Sequence, residues 1–262
     1  MQHAAPLGLV QVAGSLAFIL LPASSPRAAS FEQTLEAGAG AYSAGKLDSA
    51  RACFEHALEH HSGHFVALRW LSRVESNLGE DAKGEDQRRL FALAVEHARS
   101  AVGAAPESAS GHLELAIALG RQALHEGPRT RLALSREVKA EADRAIALDG
   151  TLGHAYHVRG MWNRKIAGLG FFERTTARAV LGGVPKGASM ENAVADFERA
   201  IELEPNDVNH HLELGRTWLE LKREDDARRE LERAAALPPT SSPRDPVFQQ
   251  EARALLKKLK PR

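Results

Sequence analysis

Cysteine is almost absent from this sequence, in which Cys53 is the single example among 262 residues. One cysteine cannot form an internal disulfide, and the absence of a Cys-x-x-Cys pair excludes the usual cysteine-based zinc and redox motifs. Cys53 is therefore predicted to be a small buried apolar residue. Aromatic residues are also few, at 5% of the chain, whereas alanine and leucine, both strong helix formers, are abundant. This composition favours closely packed helices over strands.

A net charge is lacking as well, because 34 lysines and arginines balance 34 aspartates and glutamates. Nucleic-acid-binding proteins are normally basic, so no nucleic-acid partner is predicted. The sequence also contains no P-loop, no G-x-S-x-G elbow and no Rossmann glycine pattern. We therefore expect no catalytic residues, no metal and no cofactor, with one alternative that involves histidines. With 44% hydrophobic residues, the chain can bury a core.

The alternative is a zinc hydrolase. His56, Glu59 and His60 form H-x-x-E-H, the signature of inverzincin proteases. On a helix, two histidines four residues apart share a face, and Glu59 could act as general base on a zinc-bound water. No third ligand from a separate helix stands out, so this alternative is the weaker one. Two adjacent histidine pairs are more simply explained as surface residues on helices: His60-His61 and His210-His211.

The first thirty residues differ from the rest. Residues 6–22 carry no charge and are followed by the small-residue segment ASSPRAAS. This pattern predicts a signal peptide over residues 1–30, cleaved after Ser30, and hence an exported protein, periplasmic or secreted. The alternative is an uncleaved membrane anchor, since these seventeen residues are at the short end of the length of a membrane span. An anchor would make the chain a membrane-tethered structural protein.

Two consecutive segments near the C-terminus have the same pattern of small and large residues. Ala200 and Ala234 are 34 residues apart, which is the period of the tetratricopeptide repeat. In that repeat, Leu-Gly and an aromatic residue mark the first helix, and A-x3-F-x2-A and proline mark the second. The other matching positions are Ala193, Phe197, Pro205, Leu214, Gly215, Trp218, Ala227, Leu231 and Pro239.

The same register accounts for the H-x-x-E-H segment. Ala50, Phe54 and Ala57 repeat the A-x3-F-x2-A spacing, which makes this segment the second helix of a first repeat. Later repeats have arginine or leucine at the positions of His56 and His60. The packing interpretation is therefore favoured over zinc binding.

Extending the register predicts an all-α fold for residues 31–262. The fold is a right-handed superhelical solenoid of about five tetratricopeptide-like helix pairs with a C-terminal capping helix. The predicted repeats span residues 31–64, 65–108, 109–152, 153–207 and 208–241, and the capping helix spans residues 245–260. The anchor alanines at 57, 101, 145, 200 and 234 have spacings of 44, 44, 55 and 34 residues. The middle three repeats therefore contain insertions.

These insertions carry three predictions. Residues 79–88 are expected to form a polar turn, and residues around Gly127-Pro128 are expected to lengthen both helices of the third repeat. Residues 166–189 include apolar residues at helical spacing, which predicts a short amphipathic helix: Phe171, Phe172, Ala177, Val180 and Leu181. This helix either covers the solenoid or contacts a partner or a membrane surface. Membrane contact is thus expected only through residues 6–22 or 166–189.

A further set of residues is more specific than the generic repeat pattern. The set is Glu126-Gly127, His157-x-x-Gly160-x-Trp162, Glu173-Arg174-x-x-Ala177, Leu181, Pro185, Ser189, Phe197, Arg199-Ala200, Pro205-Asn206, Leu214-Gly215, Glu251-Ala252 and Leu255-Leu256. It resembles the regulator of microtubule dynamics family, of which the chain looks like a bacterial-type relative. The resemblance covers most of residues 31–262 and is strongest from about Leu113 onward. Members of that family are non-enzymatic helical-repeat proteins linked to microtubules and organelle membranes, so the resemblance implies an adaptor.

The first helices of the repeats are expected to line a concave groove that binds a protein or peptide. The places that usually face inward select a largely basic set: Arg69, Arg73, Asn77, Arg121, His154, His157, Arg164, Lys165 and Arg216. Only Glu32 and Glu220 are expected to oppose this set, which predicts a preference for acidic or carboxylate-terminated partners. The alternative is that these side chains pair with acids on neighbouring helices. The predicted function is a non-catalytic interaction scaffold.

Overall fold

The computed structural model describes residues 30–259, apart from residues 171–173, 176, 178–182 and 241. In the described residues, eleven helices have defined bounds and no strand is present. The helices are α1 (Phe31–Ser43), α2 (Leu47–His60), α3 (Phe65–Asp81), α4 (Gly84–Ala104), α5 (Ala109–Ala123), α6 (Pro128–Leu148), α7 (Gly153–Ala167), α8 (Met190–Leu203), α9 (Val208–Glu220), α10 (Glu224–Ala236) and α11 (Asp245–Leu256).

The helices pack as consecutive pairs. Each odd-numbered helix from α1 to α9 packs against the even-numbered helix that follows it. The odd-numbered helices also contact one another in order along the chain, so they form an inner layer and the even-numbered helices form an outer layer. The last helix, α11, packs on α9 and α10 and covers the end of the array. The predicted all-α solenoid is confirmed.

Close packing within each pair depends on small residues that face large ones. The anchor alanines of the outer helices are at most 2% exposed: Ala57, Ala101, Ala145, Ala200 and Ala234. On the inner helices, glycine leaves room for a large side chain. A Cβ added to Gly79 would lie 2.6 Å from the ring of Phe91, and one added to Gly215 would lie 2.8 Å from Leu231. The repeat pattern of the sequence is therefore the packing pattern of the core.

Two local predictions are wrong. Residues 79–88 do not form a polar turn, because α3 continues to Asp81 and α4 begins at Gly84. Gly84 takes a φ of 63°, which glycine adopts without strain, and the charged residues on both sides extend the exposed faces of the two helices. Cys53 is half-buried, because it lies beside the buried stripe of α2 and not within it.

Two predictions fall largely outside the described residues. Of the signal peptide or anchor predicted over residues 1–30, only Ser30 is described, and it caps α1 by accepting a hydrogen bond from N of Gln33 at 3.3 Å. Of the five apolar residues that predict an amphipathic helix within residues 166–189, only Ala177 is described, and it is buried. Arg174 of that segment donates hydrogen bonds to carbonyl groups at the end of α7. Within the described part of the chain, no helix is both long and apolar enough for a membrane span.

The connection between α10 and α11 reaches the other end of the solenoid. Nη1 of Arg244 donates a hydrogen bond to Oδ1 of Asp81, at 2.6 Å and across 163 residues of sequence. Pro243 approaches Gly45 in the turn between α1 and α2. The last connection of the chain therefore contacts the first two repeats.

Candidate functional site

The predicted groove residues of the second repeat lie on the inner helix α3. Arg73 forms an ion pair with Glu114 of α5, and Nη1 of Arg69 lies 3.8 Å from the same Oε1 atom. The Glu114 side chain is 1% exposed, whereas the side chains of Arg69 and Arg73 are 18% and 31% exposed. Two guanidinium groups that reach solvent therefore share one buried carboxylate.

An aromatic platform lies beside these two arginines. Both guanidinium carbons lie over the Trp70 ring, at 5.3 and 5.4 Å from its centroid. Trp70 stacks on Phe54 at 5.6 Å and contacts Tyr42 at 5.1 Å. Cation–π contacts of this kind favour the observed positions of the guanidinium groups. The half-buried Trp70 therefore links the charged surface to the core of the first repeat.

A chain of hydrogen bonds continues this surface toward the third repeat. Nδ2 of Asn77 donates to Oη of Tyr42 at 2.8 Å, and Nη1 of Arg121 donates to Oδ1 of Asn77 at 3.0 Å. Nε of Arg121 lies 3.2 Å from Glu80. Burial raises the pKa of Tyr42, so its hydroxyl stays protonated at neutral pH. We call this the N-terminal inner surface: Arg69, Trp70, Arg73, Asn77 and Arg121.

The predicted arginines of the fourth and fifth repeats are balanced by acids. Arg164 is buried and pairs with Glu213, and Glu220 lies 3.5 Å from it. Arg216 pairs with the other oxygen of Glu213 and with Glu251, at 2.5 Å in both cases. Here two arginines meet three carboxylates. These ion pairs connect α7, α9 and α11.

The expectation that only Glu32 and Glu220 oppose the basic set is wrong. Glu114 and Glu213, each the sixth residue of its predicted repeat, are not among the residues predicted to face inward. Both side chains are buried against arginines. Lys165 is exposed on α7, and no described residue forms an ion pair with it. The predicted arginines therefore pair with acids on neighbouring helices, as the alternative stated, and they outnumber those acids in the N-terminal inner surface.

The two predicted histidines of the fourth repeat lie beside the connection between α8 and α9. His157 is buried, its Nε2 lies 3.3 Å from Nδ2 of Asn209, and its ring centroid is 4.8 Å from that of His210. Burial and the neighbouring His210 hold the pKa of His157 well below its usual value. His157 is therefore neutral at physiological pH and does not add to the basic charge of the groove.

His154 belongs to a cluster with Glu204, Asp207 and His210, which we call the histidine cluster. Nδ1 of His154 contacts Glu204, and its Nε2 lies 3.4 Å from Asp207. His210 is 1% exposed, with Nε2 3.1 Å from Glu204 and Nδ1 3.1 Å from Asp207. Partial desolvation lowers the pKa of His154, but hydrogen bonds to Asp207 and Glu204 outweigh it and raise the pKa to about 10. The pKa of His210 is raised as well, because the neighbouring carboxylates of Asp207 and Glu204 outweigh the effect of its burial.

The expectation that His210 and His211 are surface residues is wrong. His211 lies 2.8 Å from Glu230 and 3.0 Å from the carbonyl oxygen of Pro205. His112, at the same place in the third repeat, makes the corresponding contacts to a glutamate and to a proline carbonyl. This recurrence indicates that His112 and His211 join consecutive repeats.

The H-x-x-E-H residues lie on the solvent side of α2. The side chains of His56 and Glu59 are 57% and 69% exposed and are 3.0 Å apart. The ligand atoms of these two residues and His60 lie within 4.8 Å of one another. The buried residues of α2 include all three small and aromatic positions of the A-x3-F-x2-A pattern. The packing of this helix therefore does not involve the zinc motif.

The sequence profile described as Regulator of microtubule dynamics protein 1-3 matches residues 35–260. The chain belongs to the regulator of microtubule dynamics family. It is 29% identical to Regulator of microtubule dynamics protein 3 of Rattus norvegicus over 187 residues, which are 71% of this chain and 39% of the rat protein. It is 26% identical to Regulator of microtubule dynamics protein 1 of Bos taurus over 230 residues, which are 86% of this chain and 71% of the bovine protein.

Two solved structures show the same fold. A thermophilic tetratricopeptide protein of Thermus thermophilus aligns with a TM-score of 0.65 at 20% identity, covering 87% of this chain and 100% of that one. The type IV pilus biogenesis factor PilW aligns with a TM-score of 0.55 at 16% identity, covering 87% and 92%. The resemblance to tetratricopeptide proteins and to the regulator of microtubule dynamics family is thus confirmed. This fold and family are those of protein-interaction scaffolds, and the family is non-enzymatic in general.

Proposed function

We propose that this protein is a non-catalytic scaffold that binds a carboxylate-bearing protein segment on the N-terminal inner surface. The observation that carries the proposal is the sharing of one buried carboxylate, Glu114, by Arg69 and Arg73. A partner carboxylate would supply the second anion for this pair of guanidinium groups. Arginine binds carboxylates with particular strength, because its planar fork can donate two parallel hydrogen bonds.

The ion pairs of the N-terminal inner surface support the proposal. Its three arginines, Arg69, Arg73 and Arg121, are paired with two carboxylates, those of Glu80 and Glu114. One positive charge is therefore in excess among these five groups, on the inner layer of helices. The field of this excess charge attracts an anionic partner.

The aromatic platform supports a peptide partner over a free anion. Trp70 is half-buried next to the arginines, and tryptophan and arginine are enriched among residues that dominate binding energy at interfaces. The hydrogen bonds through Asn77 hold Arg121 and Tyr42 in place before a partner arrives, which lowers the entropy lost on binding. The preferred segment therefore combines acidic residues with an aromatic or aliphatic side chain.

The test is a binding screen by fluorescence anisotropy. Short acidic peptides that contain an aromatic residue are compared with versions in which Asn and Gln replace Asp and Glu. The variant is Arg69→Gln with Arg73→Gln. Its matched control is Arg99→Gln with Arg144→Gln, which removes the same charge from the exposed side chains of α4 and α6.

We expect the acidic peptides to bind the wild type and the control, and to lose affinity for the α3 variant. The double variant leaves the buried Glu114 carboxylate without its two arginines. A triple variant, Arg69→Gln, Arg73→Gln and Glu114→Gln, therefore removes this unpaired charge as well. It should fold like the wild type by circular dichroism and still fail to bind. Equal binding of acidic and amide peptides, or equal loss of affinity in the control, would rule out the proposed surface.

A further inference from the structure

We propose that His154, Glu204, Asp207 and His210 bind a divalent transition-metal ion, with zinc as the first ion to test, between the fourth and fifth repeats. Each residue offers one ligand atom, and these four atoms lie within 4.8 Å of one another. This site is separate from the N-terminal inner surface and from the H-x-x-E-H residues of α2.

The spacing of the cluster suits tetrahedral coordination. Zinc bonds to imidazole nitrogen and carboxylate oxygen of about 2.0–2.2 Å place neighbouring ligand atoms of a tetrahedron about 3.3–3.6 Å apart. Nδ1 of His210 lies 3.1 Å from Oδ1 of Asp207, and one ligand atom from each of the four residues lies within 4.8 Å of the other three. Binding of an ion would displace the protons that Glu204 and Asp207 stabilise on the two imidazoles. Small side-chain rotations would then bring the four ligand atoms around the ion.

The backbone holds the ligands from three directions. His154 lies in the first turn of α7, Glu204 follows the end of α8, and Asp207 is the N-cap of α9. The Asp207 Oδ1 atom accepts a hydrogen bond from N of His210 at 3.0 Å, which orients its other oxygen toward His154. Glu204 lies against Gly153, where an added Cβ would be 2.7 Å from the carboxyl carbon. Glycine at this position therefore provides the space that the Glu204 carboxylate occupies.

A buried nitrogen without a well-formed hydrogen bond points to a ligand. Nδ1 of His210 lies 3.1 Å from Oδ1 of Asp207, but it makes no hydrogen bond of acceptable geometry with any described residue, although the side chain is 1% exposed. Buried polar atoms are nearly always satisfied, and an exception calls for an ion, a water or another group. A shallow cavity of about 300 Å³ lies beside the cluster and is lined in part by His154, Glu204 and Asp207. An ion can therefore reach the ligands from solvent.

The ligand types select the class of ion. Calcium and magnesium prefer oxygen ligands, whereas imidazole suits zinc, copper, nickel and iron. Four protein ligands around a tetrahedral ion leave no open position for a substrate, which is the arrangement of structural zinc sites. The ion would join α7 to the connection between α8 and α9. It would thus strengthen the contact between two repeats, in agreement with a scaffold that has no catalytic role.

The experiment uses the untagged full chain, because a histidine tag would bind the same ions. The protein is stripped with chelator, dialysed, and titrated with zinc chloride by calorimetry, with calcium chloride as the control ion. We expect one zinc ion per chain, a higher melting temperature with zinc than with chelator, and no effect of calcium. Failure to bind zinc in a stoichiometric amount would overturn the proposal.

Variants locate the site. His154→Ala and Glu204→Gln should each weaken zinc binding by at least about tenfold, since even the loss of an outer hydrogen bond to a metal ligand costs that much. The matched control is His56→Ala with His60→Ala, which removes the other cluster of possible ligands and should keep the wild-type affinity. Circular dichroism in chelator confirms that each variant is folded. Wild-type affinity in both single variants, or loss of zinc only in the control, would contradict the assignment.

Discussion

At the scale of single residues, Glu75 places a carboxylate inside the core of the first two repeats. Its side chain is fully buried, with Nδ1 of His97 2.7 Å away and a guanidinium nitrogen of Arg51 3.5 Å away. Burial lowers the pKa of His97, but the hydrogen bond to Glu75 and the charges of Glu75 and Glu96 outweigh burial and the opposing charge of Arg51. The pKa of His97 is therefore raised above 6.5, its usual value.

This pair predicts a pH-dependent contribution to stability. A group whose pKa is higher in the folded state stabilises the fold fully below its unfolded pKa, and the contribution is lost as pH rises through the folded pKa. The free energy of unfolding should therefore differ most between wild type and His97→Gln below about pH 6.5, and the difference should shrink at higher pH. Chemical denaturation of both proteins between about pH 5 and 9 measures this difference in the free energy of unfolding. The exposed His56→Gln is the control, and parallel pH profiles of wild type and His97→Gln would contradict the prediction.

Ala234 shows how little space the core leaves between helices. It is fully buried among Leu212, Leu231 and Ala252, whereas Ala236 on the same helix is exposed. Ala234→Leu should lower the free energy of unfolding by about 1–3 kcal/mol, the usual cost of overpacking a core. Ala236→Leu should leave it nearly unchanged. Equal melting temperatures for the two variants would show that the repeat register is misplaced.

At the scale of elements, α11 is attached by both polar and apolar contacts. Nε2 of Gln249 donates a hydrogen bond to the carbonyl oxygen of Leu237 at 2.5 Å, and Oδ2 of Asp245 accepts one from N of Thr240 at 2.5 Å. Ala252 of the same helix is fully buried against the fifth repeat. The helix therefore covers an apolar end of the solenoid that would otherwise face water.

Ala252→Glu should detach this helix. The variant buries a carboxylate in an apolar contact, which is strongly unfavourable without a partner. We expect a lower melting temperature and faster proteolysis after residue 237, with Ala254→Glu, at an exposed position of the same helix, behaving like the wild type. Proteolysis at the same rate in both variants would show that α11 does not depend on this contact.

At the scale of the whole molecule, the connection between α10 and α11 joins the two ends of the solenoid. A Cβ at Gly45 would lie 4.0 Å from the Cβ of Pro243, which is within the range found in disulfides. Next to it, Arg244 binds Asp81. The inner face therefore does not open freely at this side.

This contact predicts an engineered disulfide. In a Cys53→Ser background, Gly45→Cys with Pro243→Cys should form a cross-link under mild oxidation, as measured by mass spectrometry of the tryptic fragments. The matched control is Gly84→Cys with Pro243→Cys, because Gly84 also has a positive φ but has no atom within 4 Å of an added Cβ. Cross-linking to the same extent in the control would mean that the ends do not stay in contact.

The fold was predictable because its information is local and periodic. Ala200 and Ala234 are buried at equivalent places of successive repeats, so a spacing of 34 residues records a packing contact that recurs along the chain. The prediction of a turn over the polar residues 79–88 is wrong, because polarity does not distinguish a loop from the solvated side of a longer helix. The solenoid itself, its helix pairs and the small residues at their contacts were determined by the sequence.

The candidate sites depended on the tertiary structure. The sequence indicated an excess of inward-facing arginines, but the partner of Arg73 lies 41 residues away and that of Arg164 lies 49 residues away. The histidine cluster likewise needs His154 to approach residues 204–210, and Arg244 meets Asp81 across 163 residues. A repeat pattern records whether a side chain faces inward. Which charges then meet depends on the offset between neighbouring helices and on the curvature accumulated over all the repeats, and only the folded chain decides both.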